Sequence, residues 1–93
     1  MIKSFRSRAL KRLWTRNDPS GIRADWVPKV LRLLSSLDVA VAPDDLDTPG
    51  SGFHVLTGNL AGRYALTVSR NWRLTFTFEG ADAAELDLED YHG

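Results

Sequence analysis

From Arg63 to Phe78 the chain reads Arg-Tyr-Ala-Leu-Thr-Val-Ser-Arg-Asn-Trp-Arg-Leu-Thr-Phe-Thr-Phe. Apolar and polar residues alternate on either side of a short polar break. Tyr64, Leu66 and Val68 fall on one side of the first arm; Trp72, Leu74, Phe76 and Phe78 share one side of the second. Side chains repeat with period two only in an extended strand, so the stretch predicts a β-hairpin turning at Arg70-Asn71. One face of that hairpin is a large apolar surface that has to be covered. The other carries Ala65, Thr67, Ser69, Arg73, Thr75 and Thr77, small β-compatible groups around a cation. That second face is either a solvated sheet surface or the floor of a site, and periodicity alone does not choose.

The chain before the hairpin has a different period. Leu10, Leu13 and Trp14 recur at three- and four-residue spacing within Ser7 to Arg16, with Arg8, Lys11, Arg12 and Arg16 on the opposite side, which predicts an amphipathic helix. Asn17-Asp18-Pro19-Ser20-Gly21 ends it. A second helix is expected from Asp25, read as its N-cap with Pro28 in the first turn. It buries Val27, Val30, Leu31, Leu34 and Leu37, with Leu33 at the edge of the stripe. Asp38 to Gly52, rich in proline, glycine and aspartate, is expected to be loop with one helical turn after Pro43. Short strands are expected at Ile2 to Phe5, at Phe53 to Thr57 and at Ala84 to Glu89, the last with Leu86 and Leu88 toward the core. Strand, two helices, then three or four antiparallel strands describe an α+β layer in which a helical hairpin covers one sheet face.

A chain of 93 residues has room for one core, so 1–93 is expected to be a single domain. It contains no cysteine, which removes disulfides and thiolate metal sites and fits a reducing, cytoplasmic setting. Its longest apolar run, about Val39 to Pro43, is far short of a membrane span. The formal net charge of zero conceals a division. Residues 1–37 hold nine Lys or Arg against two acids, whereas 38–93 hold three Arg against ten acids. A basic part of this kind fits a polyanion such as RNA, with the exposed face of the first helix, Lys11 and Arg12 included, as a contact surface; equally, the two parts can neutralise each other.

Groups able to move protons near neutrality are few. The chain has two histidines, His54 and His92. With Arg73 and the neighbouring Asp90-Tyr91 they are the parts needed to cleave RNA by in-line attack of a 2′-hydroxyl: a base, an acid and a cation for the charged phosphate. A frayed terminal Tyr-His and a surface histidine are the plainer reading of the same residues. Metal binding by His54, His92 and Asp90 has no ligand spacing behind it.

The combination resembles the HigB-type toxins of the RelE superfamily, the plasmid-maintenance killer proteins of type II toxin–antitoxin systems. The resemblance runs over nearly the whole chain. It includes Met1-Ile2-Lys3-Ser4-Phe5, Ser20-Gly21-Ile22, Leu33-Leu34-Ser35-Ser36-Leu37-Asp38, Phe53-His54-Val55-Leu56 with Gly58 and Gly62, Val68-Ser69-Arg70-Asn71-Trp72-Arg73-Leu74-Thr75-Phe76, and the terminal Asp90-Tyr91-His92. It implies a RelE-like fold, with the N-terminal strand and helical hairpin packed on a mainly antiparallel sheet of four or five strands. It implies a ribosome-dependent endoribonuclease that cuts messenger RNA in the 30S A site without a metal or other cofactor. The implied active-site residues are His54, Arg73, Asp90, Tyr91 and His92. The implied partner is a HigA-type helix-turn-helix antitoxin, through which alone operator DNA is reached; no membrane is involved. One position departs from the pattern. Where these toxins often carry a lysine, this chain has Thr57, so Arg63 or Arg70 is expected to supply the missing phosphate contact, or the toxin is weak. A non-catalytic inhibitor of the gyrase-directed kind on the same fold, and an attenuated toxin acting as co-repressor with its antitoxin, are the competing readings.

Overall fold

A computed structural model describes residues 1–90. Helix α1 spans Arg8–Arg16 and α2 spans Val27–Val39; strands β1 to β4 span His54–Val55, Tyr64–Thr67, Trp72–Glu79 and Asp82–Asp90. The strands form one antiparallel sheet in the order β1-β2-β3-β4. The N-terminal segment adds to the outer edge of β4 in parallel, bridging Ile2 to Ala83 and Phe5 to Leu86. That gives the expected layer: two helices on a mainly antiparallel sheet.

Local sequence accounts for where the helices begin and end. Ser7 is extended, and its hydroxyl accepts the Leu10 amide at 3.2 Å, satisfying one donor that a helix start leaves unpaired. Asn17 closes α1 in the left-handed region, with φ 54°, a conformation asparagine tolerates better than most residues. The start of α2 differs from expectation. Asp25 does not cap it. Ala24–Trp26 form a 3-10 turn that runs into the helix, and the Asp25 carboxylate accepts from Arg23 Nε at 2.7 Å. Asp25 lies inside that turn rather than in the extended position a cap occupies.

The core lies between the helices and one face of the sheet. Leu10 and Leu13 from α1 and Val30, Leu33, Leu34 and Leu37 from α2 meet Leu66, Val68, Leu74, Phe76, Ala83 and Leu86. Phe53, Tyr64, Phe76 and Phe78 run in sequence along that face, with successive ring centroids 5.9, 5.7 and 6.0 Å apart. Ladders of this spacing add to the burial of each ring. The loop before β1 is laid on β2: the Thr67 amide donates to the Ser51 carbonyl at 2.9 Å. Gly52, with φ +65°, lies so close to Thr67 that any β-carbon there would run into its side chain.

Three ion pairs join the N-terminal segment to the β3–β4 edge of the sheet. The Met1 amine reaches Asp82 at 3.5 Å, Lys3 reaches Glu79 at 3.0 Å and Arg6 reaches Glu85 at 3.0 Å. The Glu79 hydrogen bond also raises the Lys3 pKa. Each pair is solvent-exposed, where screening by water leaves little net stabilisation. The parallel bridge is instead held by its backbone bonds, Lys3 to Ala83 at 2.7 Å and Arg6 to Leu86 at 2.8 Å among them.

One irregularity shapes the rest of β4. Thr77 pairs with Ala84, but Thr75 pairs with Asp87, so two residues of β4 oppose one of β3. The extra residue forms a β-bulge around Glu85, whose φ is 52°. Because of it, Ala83 and Leu86 both point into the core and are fully buried, although an odd spacing separates them.

Candidate functional site

Residues directly opposite in an antiparallel ladder point to the same side. The register therefore defines the face of the sheet turned away from the helices. One row runs His54–Ala65–Thr75–Asp87 and the next runs Thr67–Arg73–Glu89. His54 and Arg73 thus share a face, on β1 and β3, one row apart. Neighbouring strands lie about 4.8 Å apart and residues two apart lie about 7 Å along a strand, so a backbone gap of roughly 12 Å is left for two long side chains to narrow. His54 is exposed and Arg73 half-buried. The face offers a proton carrier at its edge and a guanidinium near its middle.

This face is not an open polar surface throughout. Ala65 is fully buried and Thr75 is 1% exposed. Arg63, expected as a contact for RNA, is 7% exposed and cannot serve as an open phosphate contact. Its Nη2 donates to Thr75 Oγ1 at 3.0 Å and to the Glu85 carbonyl at 2.9 Å. Burial lowers its pKa, as does Arg6 nearby, while Glu89, Glu85 and Asp87 oppose the shift. Asp87 and Glu89 lie on the same face, and Glu89 sits directly across from Arg73. The Arg73 charge is therefore set against a carboxylate rather than alone on a neutral surface.

Asp90 is paired with Trp72, which places it on the helix side of the sheet, opposite in facing to Arg73. Convergence of Asp90 with Arg73 requires an irregularity after Leu88. The bulge lies earlier, at Glu85, and within the described residues the parity of Leu86, Leu88 and Asp90 is continuous. Tyr91 and His92 lie outside the described residues. Lys11 and Arg12 are exposed on α1 beside Arg8, Thr15 and Arg16, and α1 covers the core face. They are thus on the opposite side of the sheet from His54 and Arg73. Thr57 is exposed just before a 3-10 turn, Gly58–Leu60.

Arg70 is exposed in the β2–β3 turn and lines a groove with Arg23, Trp26, Asn71 and Trp72. The rings of Trp26 and Trp72 meet at 5.4 Å, and the Arg23 guanidinium stands 5.7 Å from the Trp26 ring. Trp26 and Arg23 were not singled out from the sequence. The one available signal was that Trp26 precedes the apolar stripe of α2 rather than belonging to it.

Among the described residues no helix is long and apolar enough to cross a membrane. Comparison with known proteins adds what geometry alone cannot. Residues 3–92 match the family model described as the RelE-like toxin of the type II toxin–antitoxin system HigB. Endoribonuclease HigB of Proteus vulgaris is 38% identical over 92 residues, covering 99% of this chain and all of that one. Two structures of YoeB–YefM complexes from Staphylococcus aureus, one titled a heterotetrameric toxin–antitoxin complex, share the fold. Their TM-scores are 0.61 and 0.64, at 20% and 19% identity, and each match covers the whole of this chain and 99% of the other. The chain belongs to the HigB family of RelE-like toxins of type II toxin–antitoxin systems.

Proposed function

We propose that the protein is an endoribonuclease toxin that cuts messenger RNA in the ribosomal A site. The observation that carries this reading is the placement of His54 and Arg73 on one sheet face, turned away from the helices, in a chain of this family. The Proteus vulgaris relative, named an endoribonuclease and aligned over its full length, supports the reaction class. In the proposed reaction a histidine removes the 2′-hydroxyl proton and the oxygen attacks the adjacent phosphorus. The bond to the 5′-oxygen breaks, that oxygen receives a proton from the second acid group, and a 2′,3′-cyclic phosphate remains. His54 and His92 are the proposed proton carriers. Arg73 holds the phosphate and offsets its developing charge. Tyr91 assists the base or stacks on a nucleotide, and Asp90 orients its neighbours. Arg70 adds a phosphate contact from the turn, and Lys11 and Arg12 meet ribosomal RNA on the far side. No cofactor takes part.

The ribosome supplies what this face lacks. Asp87 and Glu89 on the same face work against an RNA strand binding on its own, since affinity for nucleic acid rests largely on cations at phosphates. A messenger already held in the A site avoids that difficulty. The neutralising partner is proposed to be a HigA-type helix-turn-helix antitoxin, with operator DNA reached only through it, in the cytoplasm. Its support is the family and the toxin–antitoxin complexes among the structural relatives.

Primer extension across a translated transcript after brief expression tests the reading. Codon-associated stops should appear with the wild-type chain and vanish with Arg73→Ala and His92→Gln. Full toxicity of both variants would refute it. A second reading, an attenuated toxin serving mainly as co-repressor, is favoured by exposed Thr57 at the position of the usual lysine. Under that reading, strong expression without the antitoxin leaves cells viable. Gyrase supercoiling inhibited while messenger RNA stays intact would instead place the protein with the gyrase-directed toxins.

A further inference from the structure

Arg63 presents an unusual combination. It is a buried cation at the mouth of β2, and among the described residues its Nε and Nη1 have no hydrogen-bond partner. Its remaining nitrogen joins the β3 side chain Thr75 to the carbonyl of Glu85, the residue at which β4 bulges. Burying a guanidinium with two unmatched donor nitrogens is unfavourable. The bulge itself is gripped from three directions. The Glu85 amide donates to Ser4 Oγ at 2.9 Å, its carboxylate accepts from Arg6 at 3.0 Å, and its carbonyl accepts from Arg63 at 2.9 Å. Two of those contacts come from the N-terminal segment at the sheet's edge. Arg63 is the one that reaches the bulge from inside the face carrying His54 and Arg73.

What the bulge sets is register. Counting on from Thr77 opposite Ala84 without the extra residue would put Leu88 opposite Arg73 and Glu89 opposite Trp72. With the bulge, Glu89 stands opposite Arg73 and Asp90 opposite Trp72. The end of β4, which leads into Tyr91 and His92, takes its facing from this one irregularity.

We infer that Arg63 is a positioning residue of the cleavage face: by tying Thr75 to the Glu85 carbonyl it fixes the bulge that places the end of β4 against Arg73. The inference rests on the ribonuclease reading and deepens it, because Arg63 acts through other residues rather than on RNA. A misplacement of about 1 Å is enough to lower a rate on the order of 10²-fold.

The test compares Arg63→Met, Arg63→Lys and Thr75→Val in the full-length chain. Two measurements are made: cleavage of a short messenger on programmed ribosomes, and amide exchange of Leu86 to Asp90. Arg63→Met should lower kcat about 10- to 100-fold with KM little changed and leave the pH profile in place. It should speed exchange at Leu86 to Asp90 while α1 and α2 stay protected. Arg63→Lys, which can still donate to both oxygens, should recover most of the rate. Thr75→Val removes one acceptor at nearly constant volume and should show a smaller loss in the same direction, which keeps the test available if Arg63→Met does not fold. Wild-type kcat in Arg63→Met overturns the inference, as does a loss that follows melting temperature and is not restored by lysine. If the wild-type chain does not cleave at all, the ribonuclease reading fails. Exchange then decides for Arg63 separately: faster exchange at Leu86 to Asp90 upholds the clamp, and unchanged exchange refutes it.

Discussion

The two faces of the same four strands are built on opposite principles. Toward the helices, Leu66, Leu74, Phe76 and Leu86 are fully buried and meet other apolar groups. Toward the other side, Arg63, Arg73, Asp87 and Glu89 are gathered around buried Thr75 and Ala65. The first face is apolar throughout; the second sets charged groups around a close-packed centre. A chain this small has one core to hold it together, so the second face can carry charge only because the first one carries stability. Substitutions on the two faces should therefore separate stability from activity.

The largest effect belongs to the core face. Phe76→Ala should cost about 3–5 kcal/mol, read from urea unfolding, because it removes a fully buried ring from the middle of the aromatic series. One residue on, Thr77 points the other way and bonds the Ala84 carbonyl at 3.3 Å; Thr77→Ala should cost about 1 kcal/mol or less. Equal losses at the two positions would erase the distinction between the faces. Next comes Arg73→Ala, on the charged face. Loss of a cation at a developing phosphate charge corresponds to about 10²- to 10³-fold in rate, and the melting temperature should barely move. A large stability loss there would make Arg73 a structural partner of Glu89 instead.

That contrast also explains what could be read from the chain in advance. Period two in β2 and β3 and the three- and four-residue spacing in α1 and α2 are properties of neighbouring residues. They specify the hairpin, both helices and most of the core face; the start of α2 differs, and Leu33, at the edge of the predicted stripe, is buried while Val27 and Leu31 are half-buried. Arg63 looks in the sequence like a cation free to meet phosphate, because its burial depends on Thr75 and Glu85, distant in sequence, and nothing local announces it. The bulge was hidden for a related reason. Left-handed residues are usually announced by glycine or asparagine, and here the position is glutamate. Asp25 has the side chain of a helix cap, but a 3-10 turn ahead of α2 takes it in. Sharing of one face by His54 and Arg73 required knowing that His54 pairs with Ala65, a register set by the loop between them.

Thr57→Lys tests by addition whether one more cation speeds cleavage. If the missing cation limits the rate, restoring it should raise cleavage about tenfold, or roughly 1.4 kcal/mol of barrier, with no change in unfolding. No gain would mean that the cations already present suffice. Ser7→Ala, by contrast, touches neither face and should cost about 1 kcal/mol through the lost α1 cap, with cleavage unchanged at temperatures well below melting.

The last prediction falls on the residue where the two faces are brought into register. Glu85 adopts φ 52°, which a side chain with a β-carbon occupies at a cost of about 1–2 kcal/mol and a β-branched one at more. Glu85→Val should therefore destabilise the fold by more than loss of the exposed Arg6 pair alone. Glu85→Gly loses the same pair but relieves the strain, and its extra freedom when unfolded returns about 0.5–1 kcal/mol, so it should lie close to the wild type. The ordering matters more than either value. If valine is tolerated as well as glycine, the left-handed bulge is not what holds β4. Its end then owes its place beside Arg73 to core packing at Ala83 and Leu86 alone.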